Sequence, residues 1–362
     1  MEFVEREREE KMGVSWGVLR VKDVGVETPA KILTNTELRA GFAVKVRAFP
    51  DLCDIRVVGR LIDGERLEAV TKDEDAFKRL VQTMERDGRE ARVRVPYFNF
   101  IRGARVENYD HLRTLLDAQW MSGMDILVVQ HHPDVGVDEL RSFLTYARRW
   151  RERRGLDLPI MPVVCALPDL DAFKEVLGVA VEFAEGAVGV DFRSRFSYMT
   201  LKAIEDLKEE QPDLWVHAFQ VPPRVLLRGQ RAAQGMVLPF FGFDTWSQHV
   251  VPPPPVPVVK EKVNVFEPHT WGVYRQKMLY EEYRRSYDCP CPVCQQSLDR
   301  FYEGTDLDVL RKSKVHNHLR QRDQLELLRE HARSDTVPQL IAHRRYADQF
   351  LRQFPTKQLQ KK

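Results

Sequence analysis

The chain has 362 residues and a formal net charge of +2, with 43% hydrophobic and 30% charged residues. This length accommodates a large buried core in one or two domains, and the composition excludes disordered and fibrous classes. The net charge alone gives no evidence for nucleic acid. The local basic cluster RRWRERR (148–154) fits either a phosphate backbone or, as we favour for any single cluster, a solvated helix face.

The first residues, MEFVEREREEK, are charged, and no apolar run in the chain is long enough to cross a bilayer. The five cysteines are mostly clustered and do not resemble the disulfide framework of a small secreted protein. We therefore expect a cytoplasmic protein with no membrane partner.

Apolar runs rich in β-branched residues alternate with segments of helical periodicity from about residue 92 onward. The runs are ARVRVPYFNF (91–100), DILVVQ (125–130), PIMPVVCAL (159–167), AVGVDF (187–192), LWVHAF (214–219) and MVLPFF (236–241). Such alternation is typical of a parallel sheet covered on both faces by helices. With N-terminal strands around SWGVLRV and DIRVVGRLI, it favours a TIM-like (β/α)8 barrel over residues 1–250. An open doubly wound sheet is the alternative.

The proline-rich stretch within residues 251–260 is incompatible with a helix or a central strand. It predicts a stiff extended connector. Beyond it, residues 261–362 have mostly helical periodicity, and the cysteine cluster lies within them. We interpret this part as a helical zinc-binding subdomain.

The stretch YDCPCPVCQQ (287–296) places three of the five cysteines within six positions. Thiolates separated by one and two residues can converge on one ion of tetrahedral preference, and a closed set of four ligands is typical of structural zinc. The fourth ligand is expected to be a histidine of KVHNH, which offers His316 and His318.

The pattern CxCxxC, followed about twenty residues later by His-Asn, resembles the zinc signature of the tRNA-guanine transglycosylase superfamily. VHN (315–317) matches the family's IHN, and residues 100–129 are similar to the family's segment before its second core strand. The resemblance implies a (β/α) barrel with a zinc subdomain near its C-terminal end. It also implies one structural Zn2+ per chain, bound by Cys289, Cys291, Cys294 and His316, with His318 as the alternative fourth ligand.

Several family positions carry other residues in this chain. Pro96 stands where the family's DSGGFQ motif has its carboxylate, the base-recognising aspartate falls near His131, and the glutamine of VQGG falls on Cys165. The nucleophilic aspartate falls on Ser247 or on Phe240, depending on the alignment.

The candidate site residues follow from the expected ends of the barrel strands. We expect Asp244 to be the nucleophile and Asp191 to be the acid/base or base-binding partner. His131 and His132 could hydrogen-bond a base edge or shuttle a proton, and Phe98 could stack on a base.

The resemblance implies a transglycosylase that exchanges guanine for a 7-deazaguanine base in nucleic acid. The departures at base-recognising positions favour the DNA-modifying branch of the superfamily over a tRNA-guanine transglycosylase. The expected partners are DNA more than tRNA, the 7-deazaguanine base, and a second copy or a heteromeric modification complex. The alternative is a catalytically inactive paralogue that binds nucleic acid or partners an active subunit.

Overall fold

The computed structural model describes residues 2–39, 54–193, 195–248, 259–283, 287–294 and 296–360. The chain begins with an antiparallel sheet of three strands in the order β1-β2-β3. These strands are β1 (Glu2–Arg8), β2 (Ser15–Val21) and β3 (Val24–Thr28).

Two parallel sheets follow. One has six described strands in the order β4-β12-β11-β10-β9-β8, and the other has three in the order β5-β6-β7. Their strands are β4 (Ala30–Lys31), β5 (Leu33–Thr34), β6 (Ile55–Ile62), β7 (Val93–Phe100), β8 (Leu127–Gln130), β9 (Ile160–Cys165), β10 (Ala187–Asp191), β11 (Trp215–Val221) and β12 (Thr245–Gln248). The mixed α/β class and the parallel pairing that we predicted are confirmed.

Helices alternate with the parallel strands. They are α1 (Asn35–Arg39), α2 (Gly64–Lys72), α3 (Glu74–Gly88), α4 (Tyr109–Met121), α5 (Val137–Arg153), α6 (Leu170–Phe183), α7 (Tyr198–Glu210) and α8 (Gln234–Val237). Short polar side chains cap several of these helices: Asn108, Asp169 and Ser197 each accept a hydrogen bond from a backbone N–H of the first turn. The caps fix where each helix begins after the carboxyl end of its strand.

Two apolar layers enclose the parallel strands. Alternate side chains of the strands, among them Val57, Val95, Val128 and Val163, form an inner cluster with side chains of the N-terminal sheet. The opposite faces of the strands pack against the helices in a larger cluster. Burial of both faces explains why these strands read as continuous apolar runs.

The run MVLPFF is not a strand, contrary to our prediction. Residues 234–241 form α8 and a 3-10 turn, Leu238–Phe241, which ends at Gly242 with a φ of 89°. A proline within the first positions of the turn suits this geometry. The strand comes later, at Thr245–Gln248, so Asp244 lies just before the strand instead of after it.

The C-terminal region is helical, as predicted, but it also contains a two-stranded antiparallel hairpin. The hairpin strands are β13 (Val265–Glu267) and β14 (Gly272–Tyr274). The helices are α9 (Gln276–Tyr283), α10 (Leu298–Tyr302), α11 (Asp306–Arg333), α12 (Val337–Ala342), α13 (Arg345–Gln353) and α14 (Lys357–Gln360). None of the described helices combines the length and apolar character required to cross a bilayer.

The predicted connector at 251–260 lies, up to residue 258, outside the described residues. Beyond it, the last helices return to the parallel sheet and pack on α7. The Tyr198 hydroxyl donates to the Pro355 carbonyl at 2.9 Å, and the Lys357 ammonium lies 2.7 Å from the Glu209 carboxylate.

Candidate metal centre and the carboxyl-end cluster

The predicted metal ligands meet in one buried cluster. The thiol sulfurs of Cys289, Cys291 and Cys294 lie 3.5, 3.5 and 3.1 Å from Nδ1 of His316, and all four ligand atoms lie within 4.8 Å of one another. This spacing suits ligands about 2.0 to 2.3 Å from a central zinc ion. Three sulfurs and one imidazole also form a closed donor set that favours zinc.

Local backbone structure positions the cluster. The Cys294 N–H donates to the Cys291 carbonyl at 3.2 Å, and the Gln296 N–H donates to the Cys289 carbonyl at 3.1 Å. These bonds fold the cysteine stretch into a tight knuckle. The fourth ligand comes from α11, whose first turn is fixed by a reciprocal capping box between Thr305 and Asp308.

The β13–β14 hairpin selects the ligating nitrogen of His316. Nε2 of His316 donates to the Phe266 carbonyl at 2.7 Å, which leaves Nδ1 free to face the thiols. Asn317 accepts from the Phe266 N–H at 2.7 Å and donates to the Asn264 carbonyl at 3.0 Å. The His-Asn pair therefore attaches α11 to the hairpin and orients the imidazole.

The three thiols share hydrogen bonds. Hydrogen bonds from the thiols of Cys289 and Cys294 lower the pKa of Cys291, and hydrogen bonding to the neighbouring sulfurs raises the pKa of Cys294. His318, the alternative ligand, is buried but lies outside the four-residue set. Burial, with Lys31 and Arg322 nearby, lowers its pKa.

Asp191 lies at the carboxyl end of β10 and is 2% exposed. Its carboxylate accepts from the Tyr97 hydroxyl at 2.8 Å and from the Arg193 N–H at 2.8 Å, and the Arg193 guanidinium lies 3.3 Å away. Burial raises the pKa of Asp191, and Arg193 opposes that rise. Burial and the neighbouring carboxylate raise the pKa of Tyr97, so its hydroxyl stays protonated and donates.

His131 and His132 lie close enough to Arg193 to be affected by its charge. Burial, followed by the charge of Arg193, lowers the pKa of His132, and burial also lowers the pKa of His131. Nε2 of His131 donates to the Val135 carbonyl at 2.9 Å.

Cys165 completes this group. Its thiol donates to the carbonyl of His131 at 3.0 Å, and burial raises its pKa. We call Tyr97, His131, Cys165, Asp191 and Arg193 the carboxyl-end cluster.

Phe98 does not join this cluster. It is 2% exposed and packs in the larger apolar core between strands and helices, 6.5 Å between ring centroids from Phe100. Tyr97 instead points to the inner side and stacks on Phe219 at 4.9 Å, because successive side chains of a strand point to opposite faces. The aromatic residue beside Asp191 is therefore Tyr97, which was not among our chosen site residues.

Asp244 does not lie at the carboxyl end of its strand, and our placement of it there was wrong. It precedes β12, and its carboxylate accepts from the Val216 N–H at 2.8 Å, near the start of β11. It also pairs with the Lys208 ammonium at 2.9 Å, and both side chains are 2% exposed. Asp244 and Lys208 therefore form a buried structural ion pair at the amino ends of the strands, whereas Asp191 lies at the carboxyl end of its strand.

His217 lies in β11 and is buried in the interior. Its two ring nitrogens lie 2.7 Å from the Thr245 hydroxyl and 3.1 Å from the Ser247 hydroxyl. Burial lowers its pKa to about 3.

Arg193 and Gln220 are residues of interest that no sequence motif marked. Both are non-glycine residues with a positive φ, 45° and 58°, close to the carboxyl ends of β10 and β11. Such left-handed conformations cost about 1 to 3 kcal/mol and concentrate at functional sites.

No protein-family model matches this chain, and no curated protein matches it.

Proposed function

We propose that this protein is a zinc-containing transglycosylase that exchanges guanine for a 7-deazaguanine base in nucleic acid, with DNA favoured over tRNA. The observation that carries the proposal is the Asp191 carboxylate, buried at the carboxyl end of β10 between Tyr97 and Arg193. A further support is the resemblance of the Cys3His pattern to the superfamily's zinc signature.

We also propose that the two parallel sheets are parts of one (β/α)8 barrel. Only Ile32 separates β4 from β5, and its N–H donates to the Trp246 carbonyl at 2.8 Å. At the other edge, the Gln130 side-chain amide both donates to the Phe98 carbonyl and accepts from its N–H, each at 2.8 Å. The inner apolar cluster draws side chains from strands of both sheets, as the interior of a barrel does.

In this barrel the carboxyl-end cluster would lie on the face that carries the active site of (β/α)8 enzymes. Positive φ angles at Arg193 and Gln220 mark the same face. Burial raises the pKa of Asp191, while the charge of Arg193 and the hydrogen bonds from Tyr97 and Arg193 oppose that rise and hold the carboxylate in one orientation. A fixed orientation suits a carboxylate that must attack one carbon atom of a bound substrate.

The proposed reaction has two displacements. The Asp191 carboxylate attacks C1′ of the target nucleotide while the bond from C1′ to guanine breaks, and the departing guanine takes up a proton. The incoming 7-deazaguanine base then attacks C1′, loses a proton and releases the carboxylate. The ion held by the closed Cys3His set would supply a structural cross-link between the cysteine knuckle and α11.

The test is incorporation of a labelled 7-deazaguanine base into DNA or tRNA. The proposal predicts incorporation by the natural chain, more into DNA than into tRNA, and none by Asp191→Asn. Asp213→Asn is the matched control, because Asp213 is exposed and lies just before β11, at the amino end of the strands. Full incorporation by Asp191→Asn would refute the assignment of the nucleophile.

A non-catalytic paralogue that binds nucleic acid is the second candidate. The pairing of Asp244 with Lys208 favours it, because Ser247 then stands at the carboxyl end of β12, where the superfamily has its nucleophile. This candidate predicts binding of nucleic acid without incorporation. Mixing the chain with an active transglycosylase would then reveal whether it acts as a partner subunit.

A further inference from the structure

A basic groove of about 720 Å³ runs along the outer surface of α4 and α5. Five arginines line it, and no carboxylate is among its described lining residues. The arginines are Arg113, Arg141, Arg149, Arg153 and Arg154. In a chain with a net charge of only +2, this is a concentrated positive surface.

The arginines differ in how far they are already neutralised. Arg149 and Arg153 are exposed and have no ion-pair partner among the residues that the structure describes. Arg154 pairs with Asp117 at 2.8 Å in a partly buried contact. Arg113 pairs with Asp110 at 3.1 Å and Arg141 with Glu182 at 2.6 Å, but these two pairs are exposed and contribute little stability. An incoming anion can therefore replace those carboxylates at small cost.

Aromatic side chains lie between the arginines. Tyr109 is 48% exposed, stacks on Tyr146 with ring centroids 4.9 Å apart and meets Phe143 edge-on at 5.9 Å, so its ring is held in place while part of it stays accessible. Trp150 also lines the groove, and the Arg154 guanidinium lies 4.4 Å above its ring. The indole N–H of Trp150 is buried and has no hydrogen-bond partner among the described residues.

We propose that this groove binds single-stranded nucleic acid. Arg141, Arg149 and Arg153 follow one face of α5 over twelve residues, which corresponds to about 18 Å. A fully stacked strand presents at most about five phosphates over that length at 3.4 Å per nucleotide, and an unstacked strand presents fewer. A guanidinium group can donate two parallel hydrogen bonds to a phosphate, and the exposed part of the Tyr109 ring is a platform for an unstacked base.

The aromatic platform distinguishes a single strand from the other polyanions. A duplex hides the faces of its bases, and an acidic peptide has no planar group to stack. The assignment rests on the proposed function in one respect, namely that base exchange requires a nucleic-acid substrate. Tyr109 is the first residue of α4, which follows β7, so this end of the groove lies toward the side of the sheet where Asp191 lies.

The test is binding of fluorescein-labelled oligothymidylate of 20 nucleotides to the full chain, measured over a range of salt concentrations. Arg149→Gln/Arg153→Gln should lower the slope of log K against log salt by about 1.4, because each phosphate that an arginine no longer neutralises removes about 0.7 from that slope. That change makes binding about 25-fold weaker at 0.1 M salt. The control Arg79→Gln/Arg352→Gln removes two exposed helical arginines outside the groove and should change the affinity less than about twofold.

Tyr109→Ala provides an independent test. It should weaken binding at least about fivefold and leave the salt slope unchanged, because it removes stacking and no charge. Unchanged affinity and slope in the folded double arginine variant would overturn the proposal. Equal binding of a polyglutamate of 20 residues, or tighter binding of a duplex of 20 base pairs, would also overturn it.

The same variants separate this proposal from the proposed function. Asp191→Asn should bind the oligonucleotide like the natural chain even though it incorporates no base. If the natural chain binds through the groove but incorporates no base into DNA or tRNA, the exchange reaction is wrong and the groove assignment stands. If incorporation occurs and the groove variants bind normally, the groove assignment alone is wrong.

Discussion

Replacement of Asp244 by asparagine distinguishes a structural role of this residue from a catalytic one. The Asp244 carboxylate lies 2.9 Å from the Lys208 ammonium, and both side chains are 2% exposed. Asparagine keeps an oxygen that can accept from the Val216 N–H but removes the negative charge. Breaking a buried ion pair in this way costs about 3 to 5 kcal/mol, since one charge loses its counter-ion in a region of low dielectric constant.

The expected change in melting temperature follows from the chain length. With an unfolding entropy of about 2.1 cal/mol/K per residue, the 362-residue chain has about 0.8 kcal/mol/K in total if it unfolds as one unit. The Asp244→Asn variant should therefore melt about 4 to 6 °C below the natural chain in a calorimetric scan. Asp134→Asn, at an exposed contact, should shift the melting temperature by less than about 1 °C.

A double-mutant cycle with Lys208→Met isolates the pair. The structural account predicts that the two single changes together cost more than the double change, with a coupling of at least about 1 kcal/mol. If Asp244→Asn keeps the melting temperature of the natural chain while base incorporation is lost, the structural account of Asp244 is refuted and the residue belongs to the active site.

Three further predictions test the metal centre, the interior packing and the response to acid. Metal analysis of the natural chain should find about one zinc per chain and of Cys291→Ser almost none, because three ligands bind zinc far more weakly than four; a full zinc complement in that variant would exclude the ligand set. Gly189→Ala should destabilise the fold by about 1 to 3 kcal/mol in denaturant titration, because an added Cβ would lie 2.6 Å from Phe219 and 2.7 Å from Val163; unchanged stability would contradict the close packing there. His217, with a pKa of about 3 in the folded chain and about 6.5 when unfolded, stabilises the fold fully above pH 6.5, and this contribution falls by up to about 1.4 kcal/mol per pH unit between pH 6.5 and 3. His217→Gln should lose stability less steeply in that range, and equal pH slopes for the two chains would contradict the burial of a neutral imidazole.

The metal ligands could be predicted from the sequence because the information is local. Cys289, Cys291 and Cys294 lie within six positions, and one helix supplies both candidate histidines. The choice of His316 over His318 depends on a contact that the sequence does not show. The Phe266 carbonyl lies 50 positions earlier and orients the His316 ring toward the thiols.

The strand pattern was also predictable, because burial on both faces leaves a continuous apolar run. MVLPFF failed as a strand since an apolar run of that length suits a buried turn equally well. Because β12 begins only at Thr245, Asp244 lies at the amino end of this strand and not at the carboxyl end that we predicted. A carboxylate just before a strand and one just after it look alike in sequence, and only the pairing with β11 separates them.

The tyrosine partner of Asp191 comes from another strand, so only the register of that strand could indicate it. Tyr97 lies 94 positions away and reaches Asp191 through the inner face of the sheet. The alternation of β7 places Val93, Val95 and Tyr97 on that face and Phe98 on the other. This register was the available signal, and it favours Tyr97 over Phe98.

We propose that Asp191 forms a covalent bond to the sugar of the target nucleotide during base exchange. The most direct measurement is mass spectrometry of the chain after incubation with DNA and rapid denaturation, followed by mapping of the modified peptide. The account predicts a DNA adduct on the peptide that contains Asp191, and no adduct in Asp191→Asn. An adduct on another residue, or base incorporation by Asp191→Asn, would contradict the account.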